Sequence, residues 1–404
     1  VAFLGQALEE NKKELPTWRG HHEQNMALTG IAFSRAKRRK QIFIATSSVG
    51  PGSTNMLTAA AVAMSNRLPM LFLPGDTFAN RMPDPVLQQV EHFNNPNITQ
   101  NDAFKYVTRY FDRITRPEQI IQSLPQAIQT MIDPADCGPA CISLSQDVQG
   151  EVFEYPEEFF EEQIHTIRRP RPDDFQIKLA ADLIKKSKNP IIISGGGIFY
   201  SDATNELSEF AKKHNIPTAQ TVMGYSTMKK DDPYFLGAIG GFGGKEPNNF
   251  MKKTDLAIAI GTKLADFTTG SWANFENPNF KLVSINVSRF DANKHMAQSI
   301  VGDAKVCLQD LTLALGNWKA EDDWHKKSRI AVNAWNNYLE KESGPTNQEL
   351  PSYAHVAGAI YRKSEPSDIA VTAAGGLVGE VLQVWRPREL NTHETEWGFS
   401  CMSY

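Results

Sequence analysis

Short apolar runs alternate with longer segments in which apolar residues recur at helical spacing over the first 150 residues of the chain. Such runs are typical of buried strands, and the longer segments are typical of amphipathic helices. The predicted elements are, in chain order, a helix over 23–36, a strand over 41–46, a helix over 54–65, a strand over 69–73, a helix over 117–132 and a strand over 139–144. This alternation predicts a doubly wound α/β domain with a parallel sheet.

A second region of the same kind follows a segment rich in proline and charge. Its predicted elements are helices over 175–186 and 205–214, and strands over 190–194, 217–221, 256–260 and 281–286. Farther on, the pattern predicts helices over 318–339 and 353–362 and a strand over 368–372. We therefore divide the chain into a first α/β domain (1–152), a linker (153–174), a central α/β domain (175–318), a helical linker (319–350) and the start of a third domain (351–404).

Charge and composition exclude several classes of protein. The 42 basic and 46 acidic residues give a net charge of −4, which argues against nucleic acid as a partner. No apolar run approaches the roughly 20 residues of a membrane-spanning helix. The start of the chain lacks the features of a signal peptide, so we expect a cytoplasmic protein. The cysteines are expected to be buried thiols in a reducing compartment: Cys137, Cys141, Cys307 and Cys401.

A run of three glycines, Gly195–Gly197, follows a predicted strand and precedes a helix. Backbone N–H groups in such a turn can hold a phosphate. The run lacks the G-x-G-x-x-G spacing, however, and no Walker lysine follows it. A plain strand-to-helix turn explains the glycines equally well. The sequence leaves open whether the central domain binds a nucleotide.

Glu23 begins the first long predicted helix and follows His21 and His22. Met26 and Ala27 stand where an H-E-x-x-H zinc motif would place its second histidine, so the pattern does not favour zinc. A single acidic residue at a helix start is also explained by the helix dipole.

The Glu23–Gln24 pair is followed by the turn and alanine-rich helix "TSSVGPGSTNMLTAAAVA", and the second region contains "PTAQTVMGYST" and "AIAIGTKLADFTTG". In this order the motifs resemble the thiamine-diphosphate enzymes, and most closely their acetolactate-synthase-like branch. The resemblance covers essentially the whole chain. It implies a thiamine-diphosphate-binding fold of three doubly wound α/β domains with parallel sheets. The first would be the pyrimidine-binding domain, and the third would be the start of the diphosphate-binding domain.

The resemblance also implies roles for individual residues. In the family, a glutamate shares a proton with N1′ of the aminopyrimidine, and the matching motif assigns this catalytic role to Glu23. We expect burial against the ring to raise the pKa of Glu23. The other residues expected at the cofactor are Gly50, Pro51, Gly52, Asn55 and Met402. The residues expected to line the substrate pocket are His21, His22, Gln24, Gln100 and Asn101.

The family's motif for the diphosphate and its Mg²⁺, Gly-Asp-Gly or Gly-Asp-Ser followed later by asparagine, is missing. Gly75–Asp76 and Gly302–Asp303 are the two Gly-Asp pairs, and neither continues with glycine or serine. We therefore expect no metal ligand within this chain and place the diphosphate and Mg²⁺ ligands beyond residue 404. The first domain is expected to lack its start and the third to be truncated. We favour the interpretation that this sequence is part of a longer enzyme. Two alternatives stay open, namely that it is an inactive fragment or that the protein has no cofactor.

Three further segments, "LPGDTFANRMPDPVLQQVE", "SLSQDVQGE" and "EWGFSCMSY", look most like a member of this branch that acts in myo-inositol breakdown. The implied function is hydrolysis of a carbon–carbon bond in a trihydroxylated cyclic 1,2-dione, which gives a 5-deoxy-glucuronate. The alternatives are an acetolactate-synthase-like carboligase or decarboxylase of 2-oxo acids, and a non-catalytic homologue. Because the family's site lies between subunits, the resemblance implies a homodimer or a dimer of dimers.

Overall fold

The computed structural model describes residues 2–80, 86–402 and 404. These residues form two compact units. The first reaches Arg168 and includes Gly398–Met402, and the second spans Arg169–Trp397. Residues 81–85 of "LPGDTFANRMPDPVLQQVE" and Ser403 of "EWGFSCMSY" lie outside the described residues. The five-part division made from the sequence stays a prediction.

The first unit contains a four-stranded parallel sheet with the strand order β1-β2-β4-β3. Its elements are α1 (Ala2–Glu10), α2 (Glu23–Ala36), β1 (Ile44–Ser47), α3 (Pro51–Asn55), α4 (Leu57–Asn66), β2 (Met70–Asp76), β3 (Tyr110–Ile114), α5 (Ile120–Ile132) and β4 (Pro139–Ser145). The inner strands β2 and β4 are buried at all but one position each, as expected for a parallel sheet. The predicted parallel α/β architecture is confirmed.

The predicted helix over 54–65 is wrong in one respect, because two helices cover this segment. The short helix α3 ends at Asn55, and α4 begins at Leu57 with Met56 between them. Five consecutive small residues of α4 are buried: Ala59, Ala60, Ala61, Val62 and Ala63. Their small side chains allow α4 to pack closely against α2 and β4. The short helix α3 is thereby held beside the start of α2.

The second unit contains a six-stranded parallel sheet with the order β10-β9-β8-β5-β6-β7, and a two-stranded parallel sheet of β11 and β12. Its strands are β5 (Pro190–Ser194), β6 (Thr218–Gln220), β7 (Phe235–Ala238), β8 (Leu256–Ile260), β9 (Lys281–Asn286), β10 (Gln298–Val301), β11 (Ala370–Thr372) and β12 (His393–Thr395). Its helices are α6 (Asp174–Lys186), α7 (Gly197–Tyr200), α8 (Thr204–His214), α9 (Lys245–Met251), α10 (Asp266–Thr269), α11 (Arg289–Ala292), α12 (Ala304–Leu315), α13 (Asp322–Glu342), α14 (Tyr353–Lys363) and α15 (Gly376–Val384). The sequence predicted β5, β8 and β9 with these bounds and missed β7, β10 and β12.

The glycine run after β5 makes a close backbone contact with the turn that follows β8. A Cβ on Gly195 would lie 2.4 Å from the carbonyl oxygen of Gly261, which follows β8. The N–H of Gly195 donates to the carbonyl of Ile260, and the N–H of Gly197 donates to that of Gly261. Because these donors bond to backbone carbonyls, the geometry favours the plain strand-to-helix turn over a phosphate loop.

All four cysteines are buried free thiols, as predicted. In the described part of the chain, no helix combines the length and the apolar character needed to cross a bilayer.

Candidate active site

Glu23 is the first residue of α2, as predicted. The helix begins there because His22 has an extended backbone, and its Nδ1 accepts a hydrogen bond from the N–H of Gln24 at 3.2 Å. The helix dipole favours a carboxylate in this first turn. Local sequence alone therefore places Glu23 at the helix start, and a functional role needs support from its tertiary neighbours.

The neighbours of Glu23 come from α3. Asn55 Nδ2 donates a hydrogen bond to Glu23 Oε2 at 2.9 Å, across 32 positions of the chain. Gly52 lies beside the other carboxylate oxygen, because a Cβ at this residue would be 3.3 Å from Glu23 Oε1 and 2.5 Å from Ser48 Oγ. The helix α3 thus anchors one oxygen of the carboxylate, and its glycine leaves space beside the other.

The pKa of Glu23 is lowered from its ordinary value, which reverses the expectation from the sequence. The hydrogen bond from Asn55 is the largest cause, followed by a hydrogen bond from the backbone of Glu23 itself. Partial burial acts in the opposite direction and is outweighed. Glu23 is therefore a carboxylate at neutral pH and can accept a further hydrogen bond.

Replacing Asn55 with alanine is expected to raise the pKa of Glu23, because the largest cause of its lowering is removed. If Glu23 acts as an ionised group, the acid limb of the pH profile of kcat/KM should move to higher pH. The profiles of the parent and Asn55→Ala enzymes would be compared. Asn25→Ala, an exposed position on α2, is the control and should leave the limb in place. An unmoved limb in Asn55→Ala would contradict this role of the hydrogen bond.

The remaining predicted residues differ in how exposed they are. His21 and His22 are exposed next to Glu23, and Gln24 is half-buried in the same turn. Pro51 is the exposed first residue of α3. Met402 is 76% exposed near the other end of the chain, and its contact with the cofactor stays a prediction.

Gln100 and Asn101 lie in a 3-10 helix, Gln100–Tyr106, that packs against α3 and α4. Asn101 is fully buried, and its Nδ2 donates to the carbonyl of Gly75 at 2.8 Å and to Ser143 Oγ at 2.7 Å. These bonds tie the amide nitrogen of Asn101 to the ends of β2 and β4, while its Oδ1 has no hydrogen-bond partner among the described residues. The substrate contact of Asn101 stays a prediction. Both polar atoms of the Gln100 amide also lack a hydrogen-bond partner among the described residues.

A buried ionic network beside this 3-10 helix was not predicted. Asp76 is fully buried at the end of β2, and its Oδ2 accepts hydrogen bonds from Arg113 Nε at 2.7 Å and Ser143 Oγ at 2.6 Å. Arg113 is in β3, which the sequence analysis missed. The sequence did contain one signal for this network, the charged residue Asp76 at the end of a strand of a parallel sheet. Ligands bind at that edge of the sheet in doubly wound folds.

The described residues fit the pyrimidine half of a thiamine-diphosphate site. Glu23 offers an anchored carboxylate, and Gly52 leaves beside it a space that a side chain would fill. Within residues 2–80, 86–402 and 404, no group of three or more histidine, cysteine, aspartate or glutamate side chains could hold a metal ion.

Two regions of the chain match models of known protein families. Residues 3–96 match the thiamine pyrophosphate enzyme, N-terminal TPP binding domain. Residues 177–311 match the thiamine pyrophosphate enzyme, central domain. The first region contains the Glu23 site, and the second contains all six strands of the six-stranded sheet.

Curated relatives match along the whole chain. A protein of Clostridium tetani is 41% identical and one of Geobacillus thermodenitrificans is 40% identical, each over 100% of this chain and 66% of the relative. One of Clostridium perfringens is 40% identical over 100% of this chain and 67% of its own length. This chain therefore belongs to the thiamine pyrophosphate enzyme family. All three relatives are named 3D-(3,5/4)-trihydroxycyclohexane-1,2-dione hydrolase.

Proposed function

We propose that the enzyme containing this chain hydrolyses a carbon–carbon bond of a trihydroxylated cyclic 1,2-dione with the help of thiamine diphosphate. The identity of 40–41% along the whole chain to hydrolases named for this substrate is the observation that carries the proposal. The chain spans 66% of the length of the first two relatives described above, so the activity is assigned to the complete enzyme. We propose a place in myo-inositol catabolism in the cytoplasm.

Glu23 is proposed to contact N1′ of the aminopyrimidine through the carboxylate oxygen that lies beside Gly52. The hydrogen bond from Asn55 holds the other oxygen, so the carboxylate keeps one orientation. Because its pKa is lowered, Glu23 is ionised at neutral pH and accepts a hydrogen bond. The transfer of a proton between this carboxylate and N1′ is proposed from the family resemblance and not from the pKa. When bound, thiamine diphosphate supplies the electron sink for carbon–carbon cleavage.

The other predicted residues are proposed either to shape the cofactor site or to line the substrate pocket. Gly50 and Pro51 shape the turn that precedes Gly52, and Met402 is proposed to reach the cofactor of a second subunit. His21, His22, Gln24 and Gln100 are proposed to line the substrate pocket. The ligands of the diphosphate and of Mg²⁺ are proposed to lie outside residues 1–404.

The assembly is proposed to be a homodimer or a dimer of dimers with the site between subunits. Large apolar side chains of the first unit are exposed by more than 70%, among them Trp18, Leu87 and Phe93. Exposed apolar surface of this kind is suited to association. Sedimentation analysis of the complete enzyme would test the proposal.

Substrate assays of the complete enzyme test the function itself. With thiamine diphosphate and Mg²⁺, we expect it to open 3D-trihydroxycyclohexane-1,2-dione to an acyclic acid, and to show less than about 1% of that kcat/KM with pyruvate, since a pocket built for polar groups discriminates strongly. Mass spectrometry of the products distinguishes the reactions. Acetolactate formation or release of carbon dioxide from pyruvate as the main activity would support the carboligase or decarboxylase alternative. Activity without added cofactor after dialysis against chelator would contradict the proposed chemistry.

A further inference from the structure

Arg113 joins the end of one strand to a separate turn of the first unit. Its Nε donates to Asp76 Oδ2, and one terminal nitrogen donates to Thr99 Oγ1 and Asp102 Oδ2, both at 2.9 Å. The Arg113 side chain is 22% exposed, and that of Asp76 is fully buried. Because a guanidinium is planar and presents several donors, a single side chain can hold two carboxylates and a hydroxyl in fixed positions.

The turn that Arg113 holds is a capping box. The N–H of Thr99 donates to Asp102 Oδ2 at 2.8 Å, and the N–H of Asn101 donates to Thr99 Oγ1 at 3.2 Å. Burial opposes ionisation of Asp102, but hydrogen bonds from Lys105, Arg113 and Thr99 outweigh it and lower its pKa to about 2. Asp102 is therefore ionised at neutral pH, and the ion pair with Arg113 is maintained.

Gln100 lies inside this turn, and both polar atoms of its side chain are buried without a hydrogen-bond partner among the described residues. A desolvated amide without a partner destabilises a fold, and its donor and acceptor are free to bind another group. The helix that contains Gln100 packs against α3, which positions Glu23 through Asn55. An amide offers both a donor and an acceptor, which suits adjacent hydroxyl and carbonyl groups.

We propose that Arg113 is a positioning residue that fixes the turn Thr99–Asp102 so that the amide of Gln100 binds the hydroxyl and carbonyl groups of the substrate. This inference rests on the proposed function. The competing interpretation is a network that only stabilises the end of the sheet. The two differ in whether the effect of Arg113 on substrate binding passes through Gln100.

A double-mutant cycle in the complete enzyme separates these interpretations. Gln100→Ala and Arg113→Gln are each expected to raise KM for the dione about 10-fold, with kcat changed less than about twofold. The double variant should show the same KM as either single variant, because both changes remove one interaction. Arg113→Lys keeps the charge but not the planar fork, so it should restore little of the loss. The Kd for thiamine diphosphate should stay within about twofold of the parent value.

Arg116→Gln is the matched control. The side chain of Arg116 is 72% exposed, and among the described residues it forms an ion pair only with Glu118. It should leave KM and kcat at the parent values. The inference would be overturned if the increases in KM of the two single variants multiplied in the double variant, or if KM were unchanged in Arg113→Gln. A loss of affinity for thiamine diphosphate that accompanies the increase in KM would also overturn it. Should Arg113→Gln fail to fold, Arg113→Lys replaces it in the cycle. Failure of the parent enzyme to open the dione overturns the proposed function instead, and the cycle is then run on the 2-oxo acid that the parent converts.

Discussion

Glu23→Gln is expected to lower kcat of the complete enzyme by about 10²- to 10⁴-fold, the usual contribution of a proton-transferring side chain. Glutamine has nearly the shape of glutamate, and Asn55 can still donate to its side-chain oxygen. The amide cannot take up and return a proton, however, so the relay to the aminopyrimidine is lost. Steady-state kinetics with saturating substrate and cofactor measures the effect.

The variant must also be shown to fold and to assemble. Its circular dichroism, unfolding midpoint and sedimentation should match the parent enzyme, because one half-buried side chain of α2 changes without loss of volume. Glu209→Gln, an exposed position on α8, is the matched control and should keep parental turnover. Turnover by Glu23→Gln within tenfold of the parent would show that Glu23 is only a helix-start residue.

Gly50→Ala is expected to lower the free energy of unfolding by about 3 kcal/mol. Gly50 precedes α3 with φ 73° and ψ −117°, a conformation that residues with a Cβ rarely adopt. A Cβ there would also lie 2.0 Å from the backbone carbonyl oxygen of Gln88, so the backbone itself must move. Urea unfolding followed by circular dichroism gives the free energy directly.

Gly5→Ala is the control for this substitution. Gly5 lies within α1, and a Cβ there would contact nothing within 4 Å, so alanine should be neutral or stabilising by up to about 1 kcal/mol. A change of less than about 1 kcal/mol in Gly50→Ala would contradict the strain argument. Because α3 positions Asn55 and Gly52, we also expect Gly50→Ala to lose activity under conditions in which it is folded.

The inner strands of both sheets could be predicted from the sequence, and most of the edge strands could not. The strands β5, β8 and β9 have the predicted bounds because strands buried on both faces are continuous apolar runs. The missed strands β3, β7, β10 and β12 all lie at sheet edges. Only the last residue of β3 is buried, so this strand accommodates Asp112 and Arg113 without an apolar run.

Local sequence also accounts for the start of α2 at Glu23, because His22 and the acidic first residue are helix-start signals. The split between α3 and α4 was not evident, since the predicted helix over 54–65 is rich in alanine and no glycine or proline marks Met56. The direction of the pKa shift of Glu23 was likewise mispredicted. It depends on Asn55, whose amide reaches the carboxylate only when α3 packs beside α2.

The alternation of strands and helices, the helix-opening carboxylate and the family resemblance are all properties of neighbouring residues, and they follow from the order of amino acids. The contacts that hold the carboxylate of Glu23 and the turn around Gln100 join residues far apart in the chain. The bond between Glu23 and Asn55 spans 32 positions, and the bond between Asp76 and Arg113 spans 37. The packing of α3 and of the inner strands brings these partners together, and burial at the end of the sheet gives their hydrogen bonds the strength to orient a turn.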